Sequence, residues 1–224
     1  MKKKLLLIFF IILIVIFLII IFFPKDNIEE SINNTIEYLE YKEYKITLTL
    51  KDIYLMNEKE FTTKIVYCES KKDDLYKFDN KMYTNGTLTN EVKSYAKEEK
   101  DKYLYYYFDD KGYKKIEIND LNEKKDFNIN IKKFFSKIGT ISKTKRQGKK
   151  VYYSSTMNTK DAFSLIYEDA KYENIKDKVK INIISSNNLI DSISFEAEDT
   201  KENEKYIVNL DIDYQIQEIN FEEK

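Results

Sequence analysis

Histidine and tryptophan are absent from this 224-residue chain, which also holds only one cysteine, one proline and four glycines. Without histidine there is no Ser-His-Asp or Cys-His centre, no His-ligated metal site, and no side chain whose ordinary pKa suits proton transfer near neutrality. A lone cysteine, Cys68, excludes an internal disulfide, so an apolar core must hold the fold. Cys68 itself reads as a small buried hydrophobe. No P-loop, Gly-x-Ser-x-Gly or Cys-x-x-Cys motif occurs. Around Gly112, Tyr107, Lys111 and Ile118 stand where a calcium-binding EF-hand loop needs oxygen ligands. The expectation is a non-enzyme with no cofactor and no metal.

Alanine is scarce too, and its first occurrence is Ala96. That bears on the N-terminus, where Leu5 and Phe23 bound nineteen consecutive Leu, Ile, Val and Phe residues. As a helix this run reaches about 28 Å, against roughly 30 Å of bilayer hydrocarbon. A cleaved secretory signal has a shorter apolar stretch and small residues before the cut, whereas Phe22, Phe23 and Pro24 are bulky. The run therefore reads as an uncleaved single-pass anchor, with a cleaved signal as the alternative. Lys2, Lys3 and Lys4 before it place the N-terminus in the cytoplasm and the rest outside the cell membrane.

Residues 1–24 are then cytoplasmic lysines and anchor, and residues 25–224 a single extracytoplasmic β-rich domain. Removing Lys2, Lys3 and Lys4 from the count leaves 35 basic against 39 acidic side chains, a formal charge of −4. That balance excludes a nucleic-acid partner. About 200 residues without a Pro/Ser-rich linker fit one domain with a real core.

Asp26 can cap a helix with Glu29 three residues on, and Ile28, Ile32, Ile36 and Leu39 follow at helical spacing. At Tyr44 the period changes to two, with Ile46, Leu48 and Leu50 on one face and Lys45, Thr47, Thr49 and Lys51 on the other. Asn85-Gly86 predicts a hairpin, and Asp109-Asp110-Lys111-Gly112 a second. Ile131, Phe134, Phe135 and Ile138 predict a helix stopped by Gly139, and a second helix over residues 159–170 buries Ala162, Phe163, Ile166 and Ala170. Gln147-Gly148 turns a hairpin between them. The last fifty residues return to strands, ending in one where Tyr206, Val208, Leu210, Ile212, Tyr214 and Ile216 share a face, with a bulge near Gln217. The fold class is α+β: an N-terminal transmembrane helix, then an antiparallel β half-barrel of about ten or eleven strands with short helices packed on it.

This order of elements, through "VYYSSTMNTKDAFSLIYEDA", "KVKINIISSNNLIDSISFEA" and "YIVNLDIDYQIQEINFEE", resembles the LolA/LppX-like lipoprotein carrier superfamily over most of residues 27–222. The resemblance implies a half-barrel whose apolar concave face accepts acyl chains, with a lipid or lipoprotein as ligand. The chain departs from that pattern in lacking a lipobox cysteine and in an anchor that reads as uncleaved. A tethered carrier cannot shuttle, so the implication shifts toward local binding, sensing or hand-over.

In the half-barrel reading Leu48, Ile65, Val208, Leu210 and Ile212 line the pocket, with Tyr105 and Tyr107 as aromatic ligand-lining candidates. The same parity also suits an ordinary filled core. Tyr103, Tyr105, Tyr106 and Tyr107 occupy both faces of one strand. Lys143, Lys145, Arg146, Lys149 and Lys150 surround a hairpin tip and are candidates for an anionic surface; a solvated hairpin is the plain alternative. Asp211 and Asp213 project from one strand face as paired carboxylates could, though simple solvent-facing alternation explains them. The leading reading is a membrane-anchored extracytoplasmic domain that binds a lipid or other apolar ligand non-covalently. Its first rival is a structural or interaction module with a filled core and an envelope protein as partner; a histidine-free carboxylate hydrolase comes last.

Overall fold

Alternation begins at Tyr44 as the spacing requires, and the strand it starts is central to the molecule. The computed structural model describes residues 12, 27–56, 59–127, 129–166, 177–199, 201, 203–216 and 218–219. Except for Ile12, the expected anchor lies outside these residues. Among the described residues no helix is long and apolar enough to cross a membrane.

Helix α1 (Ile28–Tyr41) leads into β1 (Tyr44–Met56) and a meander of β2 (Lys59–Lys72), β3 (Leu75–Thr84), β4 (Thr87–Glu99), β5 (Lys102–Asp109) and β6 (Gly112–Ile118). A 3-10 turn (Leu121–Lys124) and helix α2 (Ile131–Lys137) precede the hairpin of β7 (Ser142–Gln147) and β8 (Lys150–Asn158). Helix α3 (Thr159–Phe163) is followed by β9 (Lys178–Ser186), β10 (Leu189–Asp199) and β11 (Glu204–Asp213). The eleven strands form one antiparallel sheet in the order β6-β5-β4-β3-β2-β1-β11-β10-β9-β8-β7. Chain neighbours are sheet neighbours except β6 and β7, which form the two edges, and β1 pairs with β11 to join the two arms, Leu48 opposite Leu210 and Leu50 opposite Val208.

Turns divide the sheet into two ends. The upper end carries the turns β1–β2, β3–β4, β5–β6 and β10–β11; the lower end carries β2–β3, β4–β5, β7–β8 and β9–β10. Asn85 and Gly86 both have positive φ, 48° and 82°, as the Asn-Gly hairpin requires. Gly112, at φ 103°, closes the second hairpin.

α1 crosses the lower end. Its apolar positions Ile28, Ile32, Ile36 and Leu39 pack on the core, and Asn27 rather than Asp26 caps it, accepting from Glu29 N. Thr35 is fully buried and its Oγ1 accepts from Ile190 N at 2.8 Å, at the point where the β9–β10 register slips between Ile190 and Ser192. Tyr214 OH donates to Ile190 O at 2.6 Å, and Tyr38 stacks edge-on against Tyr214 with ring centroids 4.8 Å apart.

Several expectations are corrected. α2 ends with Ile138 in an extended conformation, and Gly139 takes no left-handed φ. A Cβ at Gly139 would sit 3.4 Å from Thr156 O, so the missing side chain serves close approach to β8. The final strand stops at Asp213, leaving Tyr214 and Ile216 off the ladder. The register shifts of the sheet lie at Ile190/Ser192, Met82/Tyr83 and Lys143/Lys145, while Gln217 is outside the described residues. Cys68 is half-buried on the convex face near Thr47 Oγ1, at 3.7 Å, and is not a core residue. The second helix is described only to Phe163, with turns to Ile166; Asn158 precedes it without a side-chain cap, and Ala170 is outside the described residues.

Candidate functional site

The concave face is read directly from the pairing. Leu48 lies between Tyr67 and Leu210; outward from Tyr67 the same face continues to Asn80 and Val92, and outward from Leu210 to Ile193 and Ile183. The two arms of that face have different fates.

Under β8 to β11 the interior is filled. Phe134 from α2, Phe163 from α3, and Leu165 and Ile166 beyond it are buried, as are Ile181, Ile183, Ile193 and Phe195 beneath them. Phe163 meets Phe195 edge-on, with ring centroids 5.3 Å apart, and Tyr206 at 5.9 Å. Of the ligand-lining candidates, Leu48, Val208, Leu210 and Ile212 belong to this buried set.

Over β1 to β5 the same apolar face runs on into solvent. Leu50, Ile65, Tyr105 and Tyr107 are half-buried, while Met82 is 39% and Val92 47% exposed. The rings of Tyr105 and Tyr107 stack at 5.8 Å, and those of Tyr54 and Phe61 at 5.9 Å. This is an apolar ledge with an aromatic border, and Met82 and Val92, which residue spacing does not single out, are its most open members. Asp52, opposite Tyr206 on the same face, is the ledge's titratable group. Burial, and then the charge of Glu204, push its carboxyl up to about 6. Tyr206 OH donates to Glu204 Oε2.

Between arm and cover lies a buried polar knot. Glu69, 3% exposed, accepts from Tyr44 OH at 2.7 Å and from Tyr67 OH at 3.4 Å, and Lys125 Nζ reaches it at 2.8 Å. Burial, then the Glu69 charge, hold both phenols well above the ordinary tyrosine value, so they remain neutral donors. Asn80 Nδ2 donates to Asp126 Oδ2 at 2.7 Å, and Phe127 meets Tyr67 edge-on at 5.3 Å. The knot pins residues 121–127 to the sheet.

The four tyrosines of β5 divide by face. Tyr103 and Tyr105 pack toward the core, whereas Tyr106 is buried on the convex side, stacked on Tyr113 at 5.8 Å beneath Lys115. Phe108 beside them is 65% exposed. Asp211 and Asp213 are exposed on the convex face. Among the described residues no cluster of three Cys, Asp or Glu could hold a metal ion. The basic candidates Lys143, Lys145, Arg146, Lys149 and Lys150 are all exposed on the β7–β8 hairpin. Below that hairpin a cavity of about 350 Å³ is lined by Ser31, Arg146, Lys149, Ser185, Ser186 and Asn188, among others.

No protein-family model matches the chain, and no curated protein sequence matches it. Solved structures similar in arrangement include the Mycobacterium tuberculosis lipoprotein LppX, at 9% identity and a TM-score of 0.42 over 86% of this chain and 96% of that one. A beta-barrel-like protein of a domain of unknown function from Brucella abortus gives 10% identity and a TM-score of 0.32 over 78% and 98%. A putative outer membrane lipoprotein-sorting protein domain from Vibrio parahaemolyticus gives 10% identity and 0.25 over 88% and 96%. At these scores neither residue roles nor ligands transfer. What the chain has in its own right is an antiparallel half-barrel, with eleven strands among the described residues and a few helices.

Proposed function

We propose that this chain is a membrane-anchored extracytoplasmic binding module, not an enzyme, and that it holds the acyl part of a lipid or similar amphiphile non-covalently on the upper concave ledge. The observation that carries the reading is the exposure of Met82 and Val92 on the face that elsewhere forms the core, continuous with half-buried Leu50, Ile65, Tyr105 and Tyr107. Apolar surface of this kind gains about 0.8 kcal/mol for each acyl methylene it removes from water. Tyr54 and Phe61 extend it toward the rim. The filled β8 to β11 arm supplies the rigid support that holds the ledge open. The nineteen-residue apolar run ending at Phe23 supplies the anchor.

The test is photo-crosslinking of the full chain in its native membrane, with benzoylphenylalanine at Val92 on the ledge or at Lys93, its convex-facing neighbour. Mass spectrometry should find an amphiphile adduct at position 92 and little at 93. Equal or absent adducts at both positions overturn the reading.

A second reading has its own observation: Phe108 stands exposed beside the Tyr106–Tyr113 stack on the convex face of β5 and β6. That patch suits an envelope protein. A protein adduct from position 108 in the same experiment supports it.

A further inference from the structure

The start of α1 lies at the lower end of the half-barrel, whereas Tyr54, Phe61 and Met82 of the ledge lie toward the upper end. Pro24, Lys25 and Asp26 are all that separate Phe23, the last residue of the apolar run, from Asn27, the cap of α1. Even fully extended, the chain from Phe23 to Asn27 covers only roughly 14 Å. The start of α1 is held at the lower end: Asn188 Nδ2, in the β9–β10 turn, donates to Glu30 Oε1 at 2.9 Å, and Asn34 Nδ2 donates to Asn188 O at 3.1 Å. Ser31, one helical turn in, shares its cavity with Arg146 and Lys149 of the neighbouring β7–β8 turn.

We propose that the lower end is the membrane-facing end, seated on the anionic phospholipid headgroups of the bilayer that holds the anchor, and that the apolar ledge opens away from that bilayer. The inference rests on the anchored reading of the apolar run, though not on the ledge carrying lipid. Lys145, Arg146, Lys149 and Lys150 crowd the tip of an exposed hairpin beside the point where the tether enters. Of the carboxylates at this corner, Glu30 accepts from Asn188 and Asp191 Oδ1 accepts from Ser186 Oγ at 2.8 Å, with the Lys150 charge acting on Asp191, while Glu29 stands exposed in the first turn of α1. A basic tip attracts anionic lipid within about 8 Å at physiological salt, and the short tether holds the start of α1 within roughly 14 Å of the end of the apolar run. The cavity beneath Arg146 and Lys149 gives a phosphate headgroup room to settle. On the ladder Val92 is level with Leu48 and Met82 with Leu50, so the open part of the ledge begins roughly 13 to 20 Å up β1 from Tyr44 at the lower end, with Tyr54 and Phe61 beyond it. A lipid held there would be presented outward, to a partner or surface beyond the anchoring membrane.

The experiment uses the full chain in a Cys68→Ser background, with a fluorophore on Gln147→Cys at the lower tip or on Asp110→Cys at the upper β5–β6 turn. The protein is placed in nanodiscs of phosphatidylcholine with or without phosphatidylglycerol, with headgroup spin-labelled lipid as quencher. Position 147 should be quenched several-fold more than position 110, and more with phosphatidylglycerol present. Lys145→Glu with Lys149→Glu should abolish the lipid dependence, and the Lys→Gln pair should reduce it while preserving the circular dichroism spectrum. Equal quenching at both positions, or quenching at 147 indifferent to both lipid and charge, overturns the proposal. Failure of the chain to enter nanodiscs overturns it together with the anchor, while an adduct at position 92 would still stand for the ledge.

Discussion

Lys125 Nζ lies 2.8 Å from Glu69 Oε1 beneath the concave sheet, and it is the only cation bonded to that carboxylate among the described residues. A loop residue thus neutralises a strand residue 56 positions away, and Tyr44 and Tyr67 complete the carboxylate's coordination.

Removing the cation should therefore be costly. Lys125→Met leaves Glu69 charged and buried, and should lower unfolding stability by about 3 kcal/mol. The double variant with Glu69→Gln should recover much of that loss. Urea titration of all four proteins of the cycle measures the coupling, and additive losses would show that the pair does not hold the 121–127 segment down.

The two arms of the concave face should respond oppositely to truncation. Ile193→Ala, in the filled arm, should cost about 2 to 5 kcal/mol. Met82→Ala and Val92→Ala, on the ledge, should stay within about 0.5 kcal/mol. Val92→Glu should likewise fold normally, yet reduce amphiphile adducts at a crosslinker placed at Met82. Thermal melts and adduct yields separate the two effects.

Asp52 sets a pH dependence. Its carboxyl is raised to about 6 in the folded protein against 3.8 ordinarily, so the folded state prefers the protonated form. The stability contributed by that preference is complete below about pH 4 and is lost as pH rises through 6. Asp52→Asn should raise the melting temperature at pH 7.5 and leave it unchanged at pH 4. Because water reaches this half-exposed group, the gain should be only about 1 kcal/mol. A gain of equal size at both pH values would remove Asp52 as its source.

Thr35 fastens α1 to the sheet through the bulged strand. Thr35→Val keeps the shape but strands the Ile190 N–H in a buried place, and should cost about 1 to 3 kcal/mol. Thr35→Ser, which keeps the acceptor, should cost less. Hydrogen exchange at Ile190 reports directly on the bond: unchanged protection in Thr35→Val would assign the anchoring to Tyr214 instead.

Residue spacing by itself determined the local elements of this protein. The period-two runs at Tyr44 and at Val208, the Asn85-Gly86 turn and the helical stripe of Ile28, Ile32 and Ile36 are each set by contacts within a few residues, where side-chain parity and turn chemistry act directly. The absence of histidine closed off much enzyme chemistry in the same local way. Parity also put Leu48, Ile65 and Leu210 on one face, but parity carries no information about what stands opposite a face. Only the tertiary structure decided that Leu210 is sealed under the helices while Ile65 borders an open ledge with Met82 and Val92. It likewise decided that β1 closes on β11 and that Glu69, in a strand otherwise read as alternating surface and core, is a buried charge. The physical reason is range. These outcomes depend on volume filled, and charge neutralised, by segments dozens of residues away, and the spacing within any one strand is blind to both.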